Sequence, residues 1–212
     1  MILYTVPGSC AFASHVALKM AGADYEVRIA PREEGRTAES FLEINPKGRV
    51  PALVTPKGVL SETPAILCYI AQTYPQARLA PMENPWLFAR VQSFCAYLCA
   101  TVHVAHAHGH RGYRWADEDS SFQDMRNKVP QTMGECFGLI EHEMLQSPWV
   151  LGETFSICDI YLLAIARWLE ADKVDTTSLI KVLDHRARML LLPEVKKVLA
   201  EEQKLVQVAR TS

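Results

Sequence analysis

The spacing of apolar and polar residues changes along the chain, and the change divides it. "ILYTV" at 2–6 is a short apolar run rich in strand formers, closed by the Pro7–Gly8 turn. From Ser9 the spacing turns helical: Phe12, Val16 and Met20 recur every four residues, and Gly22 is a C-terminal stop. "DYEVRIA" then alternates, with Tyr25, Val27 and Ile29 on one face. The opening therefore reads as a β-α-β unit. A polar stretch, "PREEGRTAES", leads to a short helical piece around Phe41–Ile44. "PALV" and "VL", separated by Pro56-Lys57-Gly58, predict a β-hairpin. "SETPAILCYIAQTYP" predicts a helix through Ile66, Tyr69 or Ile70, and Tyr74. Its Pro64 falls in the first turn, where a missing N–H costs least.

Strand patterns then stop. "PQARLAPMENP" is rich in proline and weakly periodic, which marks a linker. Leu87, Val91, Phe94, Leu98 and Val102 predict one long amphipathic helix. Residues 121–146 predict another, interrupted or kinked at Pro130. "SICDIYLLAIARWLEA" is apolar almost all round and should be central. "SLIKVLDHRARMLLL" and "PEVKKVLAEEQKL" complete an all-helical second half. The expectation is an α+β chain in two parts, a βαβ-α-ββα domain at 1–76 and an all-α domain at 87–212, joined by 77–86.

Composition narrows the function classes. Of 212 residues 49% are apolar, enough for a core and too many for a disordered chain. The net charge of -2, with no basic stripe interleaved with aromatics, argues against nucleic acid. The N-terminus lacks the basic flank of a signal peptide. No apolar stretch reaches the roughly 18 residues of a membrane span. A soluble, cytoplasmic protein is expected, with no membrane partner. Its six cysteines form no C-x-x-C pair, so reduced and mostly buried thiols are expected.

Cys10 stands apart because it opens the first helix. There the unpaired N–H groups and the positive end of the helix dipole favour a thiolate. The plainer reading makes Ser9 an N-cap and Cys10 a buried residue. A second constellation is "RVPAL" at 49–53 with "SETPAIL" at 61–67. An edge strand opening at Val50–Pro51 offers main-chain groups to a peptide. A helix start at Glu62-Thr63 offers donors to a carboxylate, and the Glu62 side chain can take an ammonium. Together they fit a small peptide with one amine and one carboxylate, held beside a thiol. Helix capping alone would also explain Glu62 and Thr63.

"VPGSCAFASHVAL", "NPKGRVPALV" and "SETPAILCYIA" resemble the glutathione-binding domain of glutathione S-transferases, most closely the bacterial beta-class pattern. The resemblance spans essentially the whole chain. It implies a thioredoxin-like first domain, an all-α second domain and a cis Pro51. It implies that Val50 offers its backbone to the cysteinyl part of glutathione, and that Glu62 and Thr63 take the γ-glutamyl end. Thr63 stands where many relatives have Ser and keeps the hydroxyl. Around Cys10 the chain departs from the pattern: Ser9 replaces Ala, and Ala11 replaces Ser. Ser9 therefore competes with Cys10 for the contact to the glutathione sulfur. "FSICDIYL" carries the family's capping box, Ser156 with Asp159, a folding device.

"CATVHVAHAHGH" is the odd stretch of the second half. Cys95, Cys99, His103, His106 and His110 follow at spacings of four, four, three and four, one stripe on a continuous helix. A metal site is not expected: Gly109 should fray the helix, and no acidic ligand is evident nearby. The resemblance places His103 by the glutathione sulfur, with His106 one turn further as runner-up. A neutral imidazole there can accept the thiol proton. Tyr113 and Trp115, with His106, are candidates for the pocket of a second substrate.

The resulting expectation is a glutathione transferase, a homodimer with glutathione as co-substrate and no other cofactor, that conjugates the thiolate to a soft electrophile. The alternatives are one-cysteine thiol–disulfide exchange through Cys10, or a glutathione-binding module without turnover.

Overall fold

The computed structural model describes residues 1–33 and 36–211. Part of the polar stretch after the second strand, Glu34-Gly35, lies outside the described residues. The residues fall into two compact units, Met1–Met82 with Leu190–Ser212, and Glu83–Met189. The sequence reading groups all of 87–212 together. Contacts instead return the last helix to the first unit.

The first unit is built on strands β1 (Ile2–Thr5), β2 (Glu26–Ile29), β5 (Ala52–Thr55) and β6 (Gly58–Ser61), in the order β2-β1-β5-β6. β1 pairs β2 in parallel and β5 antiparallel, and β5 pairs β6 antiparallel. Two short strands, β3 (Arg32–Glu33) and β4 (Arg36–Thr37), form a separate ladder. The helices are α1 (Ala11–Met20), α2 (Glu39–Leu42) and α3 (Thr63–Thr73), and α9 (Pro193–Thr211) packs on α1. α2 starts two residues ahead of the expected Phe41–Ile44 piece, with Phe41 as its buried residue.

Period-two alternation sorts the sheet faces. Tyr4, Ala30, Phe41 and Ala52 form one core cluster, with the Tyr4 and Phe41 rings 5.4 Å apart. Leu3 and Leu53, of opposite parity, are fully buried on the other face. α1 packs against both β1 and α3, and every residue from Ala11 to Leu18 is buried. A helix enclosed on all sides cannot be amphipathic, which is why its polar members, Ser14 and His15, are internal.

In the second unit α4 (Pro85–Tyr97), a π-helical turn at Leu98–Val102 and α5 (His103–Ala107) form one continuous helix. Asn84 caps it by accepting the Leu87 N–H at 3.1 Å, so the helix begins inside the expected linker. This helix corrects one expectation. Its 23 residues, with mean hydropathy 1.2 over an 18-residue window, are long and apolar enough to cross a membrane by length and composition. α6 (Asp119–Leu139) runs unbroken through Pro130 into a second π turn at Ile140–Met144.

α7 (Ile157–Ala166) is buried along its whole length, the central position its composition demands. Its capping box is present: Asp159 Oδ2 accepts the Ser156 N–H at 2.8 Å, and Ser156 Oγ accepts the Cys158 N–H at 3.2 Å. α8 (Ile180–Leu191) follows. Its first N–H groups are satisfied by a distant side chain, the buried Glu141 carboxylate, at 2.9 Å from both Lys181 N and Val182 N.

Candidate glutathione site

Strand register explains why the sequence candidates of the first unit meet. Tyr4 opposes Ala52, and Ala52 opposes Ser61. The C-terminal end of β1, the N-terminal end of β5 and the C-terminal end of β6 therefore lie side by side. The Ser9–Cys10 turn, Val50–Pro51 and Glu62-Thr63 all extend from that one end of the sheet.

β5 is not the edge strand the sequence reading expected, since it is paired on both sides. Val50 is available because it precedes the ladder. The Val50–Pro51 bond is cis. The Val50 carbonyl accepts the Cys10 S–H at 3.6 Å, and no hydrogen bond takes its N–H among the described residues. Asn45, 4% exposed, holds this loop: its Nδ2 donates to the Arg49 carbonyl at 2.6 Å, and its Oδ1 accepts the Lys47 N–H at 3.3 Å.

Cys10 is the N-cap of α1 and is 5% exposed. Several first-turn donors are already committed. Ala11 N–H goes to Ser9 Oγ at 3.3 Å, Phe12 N–H to the Ser9 carbonyl, and Ala13 N–H to the Cys10 carbonyl. Fewer N–H groups are free for a sulfur than a bare helix start would offer. The Ser9 hydroxyl accepts from Ala11, and its own hydrogen has no acceptor among the described residues.

Glu62 caps α3 with φ 75° and ψ 120°, a backbone conformation that costs a non-glycine residue about 1–3 kcal/mol. Such strain is held where a side chain must be aimed. The Glu62 carboxylate meets the Lys47 ammonium at 2.7 Å, and Lys47 Nζ also reaches Ser61 Oγ at 3.0 Å. The carboxylate thus already binds an ammonium, one supplied by the chain. Lys47 lies within "NPKGRVPALV" but sequence reading gave it no role, because nothing local shows it folding back onto Glu62. Thr63 is buried.

The second unit holds the histidine candidates. The π turn inserts a residue per turn at Leu98–Val102, so Cys95 and Cys99 do not share the regular stripe of His103 and His106. α5 ends at Ala107, and His110 is exposed. Among the described residues no group of three or more His, Cys, Asp or Glu side chains is placed to hold a metal ion. The expectation that no acid lies nearby is overturned: Asp172 Oδ2 is 2.7 Å from His106 Nδ1, and Oδ1 is 3.0 Å away. His106 stacks on Trp168 with centroids 4.0 Å apart and planes at 16°, and the His103 ring stands edge-on to the same indole at 5.0 Å. Asp172 is 66 residues from His106, so no spacing rule could pair them.

Tyr113 and Trp115 are exposed, and Trp115 packs on His108 at 4.3 Å. An open cavity of about 450 Å³ in this unit is lined instead by residues such as Tyr97, Thr101, Val104, His108, Glu135 and Cys136. His106, Tyr113 and Trp115 are not among its walls. Burial pushes the Cys136 thiol pKa up, which leaves it a poor nucleophile.

The model of the glutathione S-transferase N-terminal domain matches residues 1–72. Glutathione S-transferase GstA of Escherichia coli O157:H7 is 26% identical over 205 residues, covering 95% of this chain and 98% of that protein. A solved Sphingomonas chungbukensis beta-class glutathione S-transferase shares 28% identity, covers 95% of this chain and 98% of its own, and superposes with a TM-score of 0.84. A glutathione transferase homolog from Sulfitobacter, solved with bound glutathione, is 40% identical, covers 94% of this chain and 97% of its own, and has a TM-score of 0.90. With that identity over nearly the whole length, together with the sheet order, the cis Val50–Pro51 bond and the Glu62 cap, the chain belongs to the glutathione S-transferase family.

Proposed function

We propose that the protein is a glutathione transferase that binds glutathione at the open end of the four-stranded sheet and conjugates its thiolate to a soft electrophile. The observation that carries the reading is the convergence of the Ser9–Cys10 turn, Val50–Pro51 and Glu62-Thr63 at that end. Val50 supplies an unused N–H to the peptide backbone of glutathione. The Glu62 carboxylate receives the α-ammonium group, and Thr63 with the α3 start receives the α-carboxylate. Ser9 and Cys10 flank the sulfur. Ser9 has a hydroxyl hydrogen left to give, and a donor aimed at the thiolate lowers the cost of forming it. The Cys10 S–H is turned to the Val50 carbonyl. His103 and His106 are the second unit's candidates for accepting the thiol proton, and Tyr113 and Trp115 its candidates for holding the electrophile. Glutathione is the co-substrate, and no other cofactor is invoked.

The same proposal includes a homodimer in the cytoplasm. The apolar window of Pro85–Ala107 is only 28% buried within one chain, which supports a covering subunit. The domain limits are proposed as 1–76 and 87–212 along the chain, although contacts group α9 with the first unit.

Thiol–disulfide exchange through Cys10 is less favoured, because a buried residue whose S–H is turned to the Val50 carbonyl is poorly placed to attack a disulfide. Calorimetry with reduced glutathione, followed by assays with an aryl halide and with a mixed disulfide, tests all three readings. Uptake of glutathione with conjugation is expected. Ser9→Ala should lower kcat/KM about a hundredfold and Cys10→Ala less than about tenfold. Uptake without either activity would leave a binding module, and no uptake would sink the reading.

A further inference from the structure

The cap residue of α3 and the loop before β5 are joined by a cation that no local pattern announces. Asn45, 4% exposed, builds the loop. Its Oδ1 accepts the Lys47 N–H at 3.3 Å, its carbonyl accepts the Gly48 N–H at 2.8 Å, and its Nδ2 donates to the Arg49 carbonyl at 2.6 Å. Gly48 takes φ 61°, the left-handed region that glycine adopts without strain, which lets the chain turn there. Lys47 is thereby brought to the end of β6. Its Nζ donates to Ser61 Oγ at 3.0 Å and to Glu62 Oε1 at 2.7 Å. Glu62 Oε2 accepts no hydrogen bond among the described residues. The two side chains are 52% and 48% exposed, so the pair contributes little to stability. Its effect is on aim. The φ of 75° fixes the direction in which the Glu62 side chain leaves the backbone, but not the side chain's own torsions. Lys47 fixes those by holding one carboxylate oxygen, and the other stays open to a ligand. All of these residues belong to the first unit.

We propose that Lys47 is a positioning residue that holds the Glu62 carboxylate for the α-ammonium group of a γ-glutamyl ligand, and so sets the preference for ligands that carry that ammonium. The proposal rests on the transferase reading above, in which Glu62 receives that group. A glutamate side chain left to itself samples several rotamers, and one already held loses less freedom when the ligand arrives. Lys47 also places a positive charge near an anionic peptide, an attraction that any carboxylate-bearing ligand feels. The positioning role differs because it acts through the ammonium alone.

The test uses the full-length protein and calorimetry with two probes, reduced glutathione and its analogue with hydrogen in place of the α-amino group. Lys47→Met should weaken glutathione binding about fivefold, the upper range for an exposed ion pair, and change binding of the analogue less than about twofold. On a Glu62→Gln background, Lys47→Met should cost glutathione no further affinity. With an aryl halide at saturating glutathione, Lys47→Met should leave kcat within about twofold while the KM for glutathione rises about fivefold. Equal weakening for both probes would reduce Lys47 to a general attraction for anions. Tighter binding of glutathione by Lys47→Met would make Lys47 a competitor for the ammonium's place. Either result overturns the proposal, as would a fall in kcat as large as the rise in KM, or a full further loss on the Glu62→Gln background. If the wild-type protein takes up no glutathione, the transferase reading falls and takes this assignment with it. Uptake that responds alike to the two probes sinks this assignment alone.

Discussion

Two imidazole–carboxylate pairs in the second unit have the same chemistry and opposite surroundings. His185 Nε2 meets Asp159 Oδ1 at 3.0 Å with both side chains 0% exposed. Asp159 also accepts the N–H groups of Val150 and Ser156, each at 2.8 Å. Its carboxylate is saturated by backbone donors, and the pair has no face left for a ligand. Asp172 instead spends both oxygens on one imidazole, whose side chain is 16% exposed, whereas the unpartnered His185 Nδ1 is buried. Access to solvent, not the pairing or an unused ring nitrogen, separates the two. A third pair, His15 Nε2 with Glu201 Oε2 at 2.9 Å, joins α1 to α9 in the first unit.

Asp159→Ala removes the acceptor of two backbone donors and strands His185. It should cost about 3–5 kcal/mol in urea unfolding; a loss below about 1 kcal/mol would make the two pairs alike. Asp172→Ala removes an acceptor from a ring that still reaches solvent. About 1–2 kcal/mol is expected, so a stability loss equal to that of Asp159→Ala would mark this pair too as scaffold.

The smallest effect is a slope with pH. Desolvation by burial holds the His15 pKa below its ordinary 6.5, against the opposing pull of Glu201. The unfolded state then binds more protons just below pH 6.5. The stabilisation is fully present above pH 6.5 and is lost as pH falls through the folded-state pKa. Unfolding free energies measured from pH 7.5 to 5 should decline, and His15→Gln should flatten part of that decline. An unchanged slope would show that the pair carries no linkage.

Much of the first unit was legible in the residues themselves. Alternation in "DYEVRIA", the Pro56-Lys57-Gly58 turn and the helical spacing from Phe12 to Met20 are local, and each element formed where its spacing placed it. The S-x-x-D box was legible for the same reason, since a cap acts within one turn. The status of β5 was not. Whether a strand lies at an edge depends on its partners, and β1 comes from 48 or more residues away in the register.

Local pattern alone gave the order of the four main strands and their helices, the capped apolar helix at the centre of the second unit, and the residue types at the Ser9–Cys10 turn and Glu62-Thr63, but not the short β3–β4 ladder. These follow from period, propensity and capping, which act over a few residues. Only the tertiary structure decided that the Cys10 thiol rests on the Val50 carbonyl, that Lys47 neutralises Glu62, that α9 closes on α1, and that Asp172 grips His106. Those pairings join groups that chain folding, not spacing, brings within hydrogen-bond reach, and a hydrogen bond or ion pair fades within a few ångströms.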